Sequence, residues 1–131
     1  MALRMARAHS KYGAVAQWVL PDLRVVPASK VPKLPPGVLR FASKREADRF
    51  VFLKMALDAG EIAQLVLQPA FSLGVITPRG ERRVITRYLA DFAYRRDGRR
   101  VIEDAKGFRT RVYILKKAWV EAEYGIEIRE V

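Results

Sequence analysis

The sequence predicts an α/β domain, a mixed β-sheet flanked by helices in the order α-β-β-β-α-β, behind a basic N-terminal arm. Three observations predict it. Two stretches carry helix start and stop signals, near 43–59 and 110–124. An Asp-Gly pair separates two β-prone runs, the strongest short-range signal for a hairpin. A short alternating run, Ile126-Glu127-Ile128, follows the second helix.

Taken in order, residues 1–40 read as a basic arm with a proline-rich linker, and residues 41–131 as the folded domain. Ala14–Val26 suits a strand or a short helix. Pro27, Pro32, Pro35 and Pro36 favour extended chain, because proline fixes φ and lacks an N–H. Ser43-Lys44-Arg45-Glu46 has the spacing of a capping box, so a helix begins there. Gly60 ends it, and Phe50, Leu53 and Leu57 form its apolar stripe. Leu65-Val66-Leu67-Gln68 opens a strand that Pro69 interrupts and Ala70–Val75 continues. Thr77-Pro78-Arg79-Gly80 reads as a turn. The second helix puts Val112, Leu115, Ala118, Trp119 and Ala122 on its apolar side and ends at Gly125.

The hairpin carries the chemistry. Arg82–Arg95 reads as one strand and Arg99–Lys106 as its partner. A two-residue turn at Asp97-Gly98 pairs Arg96 with Arg99, and counting back sets Asp91 opposite Asp104. Opposed Cβ atoms lie roughly 4.5–5.5 Å apart, where like charges destabilise a sheet. A cation between them removes that penalty, and hard divalent ions prefer oxygen ligands. Alternation puts Lys106 on the Asp104 face and Glu103 on the other. Glu46 stands one turn before Phe50, at the end of the helix stripe. The plain alternative stays open: a surface ion pair for Asp104 and Lys106, a solvated Asp91, and a Glu46 that only completes the cap.

Composition narrows the field. With no cysteine there is no disulfide and no thiolate metal site, and the single histidine, His9, leaves little room for a histidine zinc site or a Ser-His-Asp triad. No apolar run approaches the ~20 residues of a membrane span. No apolar stretch near the N-terminus resembles a signal peptide, so a soluble, cytoplasmic protein is expected. The net charge is +11, of which residues 1–40 carry +6. Such an excess suits a polyanion, nucleic acid above all. Arg4, Arg7, Lys11, Lys30 and Lys33 in the arm are candidate DNA contacts, with Lys116 and Lys117 on the second helix. Tyr113 is a weaker one. The lack of asparagine and the excess of arginine over lysine fit a thermophile or a GC-rich genome.

Glu46 on a helix, then Asp91, then Asp104-Ala105-Lys106, in this element order, resembles the PD-(D/E)XK nuclease superfamily. The likeness covers roughly residues 41–131. Ala90 stands where the motif's proline is usual. Size and basicity resemble the small phage and archaeal Holliday junction resolvases, placing a phage-encoded chain in the host cytoplasm. The resemblance implies a restriction-endonuclease-like core and a Mg²⁺ ion, with Mn²⁺ as a substitute. Asp91, Asp104, the Ala105 carbonyl and Glu46 would be its ligands, and Lys106 would act on the attacking water and the phosphate. It also implies a homodimer acting on four-way DNA junctions. A nickase, a flap or restriction-like nuclease, and a non-catalytic nucleic-acid-binding protein are the alternatives.

Overall fold

A computed structural model describes residues 14–28 and 36–131. Contacts divide the chain into two compact units, residues 1–56 and 57–131. The mixed α/β class agrees with expectation.

In the first unit, β1 (Gln17–Val19) lies between β2 (Val25–Pro27) and β3 (Leu39–Phe41), all antiparallel. The described part of residues 1–40 therefore forms most of a small sheet, with a strand inside Ala14–Val26, which suited one, and contacts divide the chain after Ala56. The hydrophobic centre of the sheet explains why it forms. Ala16, Trp18, Ala28 and Val38 are buried together, and the Trp18 indole N–H donates to the Ala28 carbonyl at 2.9 Å. A buried indole with its N–H satisfied anchors a core of few residues. Most of the proline-rich linker, and Arg4, Arg7, Lys11, Lys30 and Lys33, lie outside the described residues.

The helix α1 (Lys44–Asp58) starts as its capping signal requires: the Ser43 hydroxyl accepts from the Glu46 N–H at 3.2 Å. Its buried residues are Ala47, Phe50, Leu53 and Ala56. Phe50 stacks on Phe41, with ring centroids 5.0 Å apart.

Five strands, not three, separate the helices. They are β4 (Ala63–Leu67), β5 (Ala70–Ile76), β6 (Arg82–Leu89), β7 (Phe92–Arg96) and β8 (Arg99–Asp104). Then come α2 (Arg111–Tyr124) and β9 (Ile128–Glu130). The expected order α-β-β-β-α-β fails because both long strands break at one level. Pro69 splits one into β4 and β5; Ala90-Asp91 splits the other into β6 and β7. The halves enter different sheets: β5 and β6 form a two-stranded ribbon, and the other sheet runs β4-β7-β8-β9. Gln68 takes positive φ at the break, and its N–H donates to the Asp91 carbonyl at 2.9 Å. β9 joins β8 in parallel, a pairing that the crossover helix α2 makes possible.

α2 is held at both ends. Thr110 caps the Tyr113 N–H at 3.0 Å, and Gly125 takes left-handed φ 62°. Its buried face is not the expected one. Val112 and Leu115 are 61 % and 63 % exposed, whereas Val120 is fully buried and Tyr113 and Trp119 pack on the core of Phe71, Leu73, Tyr88, Ala93, Ile102 and Ile128. Gly74 is the docking point. It lies at a register shift in β5, its N–H donates to Glu123 at 3.0 Å, and its carbonyl accepts from the Trp119 indole at 3.3 Å. Arg82 also donates to Glu123, at 2.6 Å.

A Cβ on Gly74 would sit 2.8 Å from the Arg83 backbone oxygen, which cannot yield like a side-chain tip. Gly74→Ala should therefore lower stability by roughly 1–3 kcal/mol, as overpacking does. Urea denaturation with an unchanged midpoint would contradict this.

Candidate functional site

The hairpin register is the one a two-residue turn requires. Asp97 and Gly98 both have positive φ, 51° and 74°, as a type I′ turn demands. Arg96 pairs with Arg99, and the register runs down to Phe92 with Glu103. The next step brings Asp91 beside Asp104.

These two residues interlock. The Asp91 N–H donates to the Glu103 carbonyl at 3.0 Å and to Asp104 Oδ1 at 3.1 Å. Asp91 Oδ2 accepts from the Ala105 N–H at 2.7 Å. Each carboxylate is thus aimed by the other strand's backbone. Asp104 is completely buried, and its Oδ2 has no hydrogen-bond partner. Asp91 is half-buried, and its Oδ1 has none among the described residues. One oxygen of each carboxylate is therefore uncommitted.

Burial pushes the Asp104 carboxyl up from 3.8 to about 6, against the opposing pull of Lys106 and the Asp91 N–H. Burial also raises Asp91, opposed by the Ala105 N–H and by Lys106. The Lys106 amine is close enough to act on both, and it sits 4.9 Å from the centre of the Tyr113 ring. Tyr113 is raised too, first by burial and then by the charge of Asp104. Its hydroxyl, like that of Tyr88, is buried with no partner.

Sequence reasoning missed one neighbour, Glu130, and placed two others, Lys117 and Tyr113, only as candidate DNA contacts. Glu130 on β9 pairs in register with Asp104 and is bonded to Arg109 at 2.7 Å. Lys117 pulls on Asp104 while bonded to Glu121 at 3.1 Å. The ring of Tyr113 lies under Lys106. The alternation in Ile126–Glu130 was a signal for Glu130, but only the parallel pairing gives it a partner. Glu103 lies on the other face as expected. It is fully buried and accepts from the Tyr94 hydroxyl. Glu46 belongs to the first unit, in the first turn of α1. Lys116 lines a groove with Arg87 and Tyr113.

The family described as a protein of unknown function (DUF1064) matches residues 30–130. The chain belongs to the DUF1064 family. No curated protein matches it significantly. In this DUF1064 chain, no group of three or more His, Asp or Glu side chains is arranged to hold an ion, among the described residues. Two carboxylates are enough for Mg²⁺, which keeps several waters and takes only one or two protein carboxylates beside substrate phosphate. The two uncommitted oxygens of Asp91 and Asp104 fit that requirement. The Ala105 carbonyl follows them in sequence.

The raised Asp104 carboxyl destabilises the metal-free fold once it ionises. The native state holds this proton more tightly than the unfolded chain, so its contribution is greatest in acid. It is lost as pH rises from about 3.8 through about 6. Asp104→Asn should therefore be more stable than wild type at pH 7.5 in chelator, and the gap should shrink towards pH 4. Denaturation midpoints at both pH values would check this; a gap independent of pH would contradict it.

Proposed function

We propose that this chain is a Mg²⁺-dependent, structure-selective DNA endonuclease that resolves four-way junctions as a homodimer. The supporting observation is the interlocked Asp91–Asp104 pair, each with an uncommitted oxygen, beside the Lys106 amine in a chain of net charge +11. A protein that only binds phosphate gains nothing from paired, buried carboxylates, because they repel it. A restriction-endonuclease-like arrangement remains part of this proposal.

Asp91 and Asp104 would hold the ion, with the Ala105 carbonyl as a further ligand. When bound, the ion lowers the pKa of its water and offsets charge on the phosphate. The hydrogen bonds from the Asp91 and Ala105 N–H groups keep the carboxylates from turning away. The Lys106 amine orients the attacking water and stabilises negative charge on the phosphate oxygens. Exclusion of solvent around Asp104 strengthens each of these interactions.

A four-way junction has two-fold symmetry, and a symmetric dimer meets it with two equivalent sites. Two copies of so basic a chain also engage more phosphates on converging arms than on one duplex.

Labelled four-way junction, flap, nicked and linear substrates, with and without Mg²⁺, test this reading. Asp91→Asn and Asp104→Asn should abolish cleavage while DNA affinity stays equal or rises. Lys106→Ala should slow it at least the ~10²-fold typical of losing a positioned transition-state group. Wild-type turnover in either aspartate variant would sink the metal site. A second prediction concerns symmetry: mixing wild-type with Asp104→Asn subunits should give dimers that nick once and leave the junction joined. A monomer that cuts linear duplex as readily as junctions would remove the resolvase reading.

A further inference from the structure

Between β6 and the first turns of α2 lies a groove of about 310 Å³, lined by Arg87, Tyr88, Leu89, Thr110, Val112, Tyr113 and Lys116. Arg87 comes from one bank and Lys116 from the other, and no carboxylate lines it. Neither cation has an ion-pair partner among the described residues.

The start of α2 is also charged against its own dipole. A helix N-terminus is partly positive and favours acidic residues. Here the first turn holds no acidic residue and opens with Arg111. Thr110 satisfies the Tyr113 and Ile114 N–H groups, each at 3.0 Å. The N–H groups of Arg111 and Val112 have no partner among the described residues. An anion at this end supplies what the helix lacks.

A separate feature points the same way. Tyr88 lines the groove, is only 3 % exposed, and carries a hydroxyl with no hydrogen-bond partner. Its ring centroid lies 6.4 Å from that of Tyr113, whose hydroxyl is also unpartnered. Phenylalanine would fill such positions without leaving a buried polar group unmade. The Tyr113 ring lies under Lys106 and also lines the groove, so the groove adjoins the Asp91–Asp104 site.

We infer that this groove is a phosphate subsite, where Arg87, Lys116 and the start of α2 grip an internal, non-scissile phosphodiester of the nucleic-acid strand. The inference rests on the nuclease reading for its choice of strand, and it adds the positioning of that strand. A phosphate held here fixes which neighbouring phosphate meets Asp91, Asp104 and Lys106. A gain of orientation at a fixed distance raises the rate of the chemical step.

The test uses the full chain in chelator, where cleavage cannot intervene, and junction and linear DNA without terminal phosphates. Fluorescence anisotropy should show Arg87→Gln/Lys116→Gln binding at least ~10-fold more weakly, with a slope of log K against log salt smaller by about one to two. Single neutral methylphosphonates scanned along the strand should weaken wild-type binding at one or two adjacent positions, and the double variant should be blind to them. Thermal melting confirms that the variant is folded; Lys116→Gln alone serves if it is not. Wild-type affinity and slope in the variant would overturn the inference. So would a variant that keeps the wild-type methylphosphonate profile, DNA binding that requires a terminal phosphate, or a wild-type chain that binds no DNA. A chain that binds through the groove but does not cleave with Mg²⁺ would uphold the subsite and overturn the nuclease reading alone.

Discussion

The second unit depends on the reciprocal hydrogen bonding between Asp91 and the Asp104-Ala105 segment. Asp91 occupies the point where the chain leaves the β5–β6 ribbon and enters the four-stranded sheet. Its N–H serves the Glu103 carbonyl and Asp104 Oδ1, its carbonyl accepts from Gln68, and its Oδ2 accepts from Ala105. One residue thus satisfies its own backbone groups and those of two other segments at a corner. Buried backbone groups must be paired somewhere, and an irregular corner has no ladder to pair them. The carboxylates supply what the ladder cannot. Their desolvation opposes this, and it shows as the raised carboxyls of both residues.

The environment of Asp104 balances that burial. Lys106 and Lys117 favour its charge, and Glu130 across the parallel β9 opposes it. Glu130 is itself occupied by Arg109, and Lys117 by Glu121. Glu121 also accepts from the Ile128 N–H at 2.9 Å, which ties the start of β9 to the helix. The site is therefore an alternating set of charges held on one sheet face and one helix.

α2 shows the consequence for packing. Its face towards the sheet carries Tyr113, Lys117, Val120 and Glu121, at helical spacing but mixed polarity. Val112, Ile114 and Leu115 are left exposed. A helix whose inner face must serve buried carboxylates cannot also present its most apolar stripe inward. That conflict misled a reading based on hydrophobic periodicity alone.

Local chemistry was legible from the sequence. Ser43 and Thr110 start helices because their hydroxyls accept from nearby N–H groups. Gly60 and Gly125 end them because they adopt left-handed φ freely. Asp97-Gly98 sets a hairpin register whose consequence, Asp91 beside Asp104, follows by counting. What local signals could not show were events between distant segments. Pro69 marked an interruption, but only its meeting with Ala90-Asp91 turned two long strands into four in two sheets. Trp18 looked like a residue of an arm until three short strands gave it a core. Glu130 acquired its place only when β9 paired in parallel with β8, across the whole of α2. Sequence by itself determined the caps, the turn and the register, because each is settled by contacts a few residues apart. Tertiary structure decided the sheet partners, the buried face of α2 and the electrostatics of the site, because these depend on desolvation and on groups that meet only when the chain is folded.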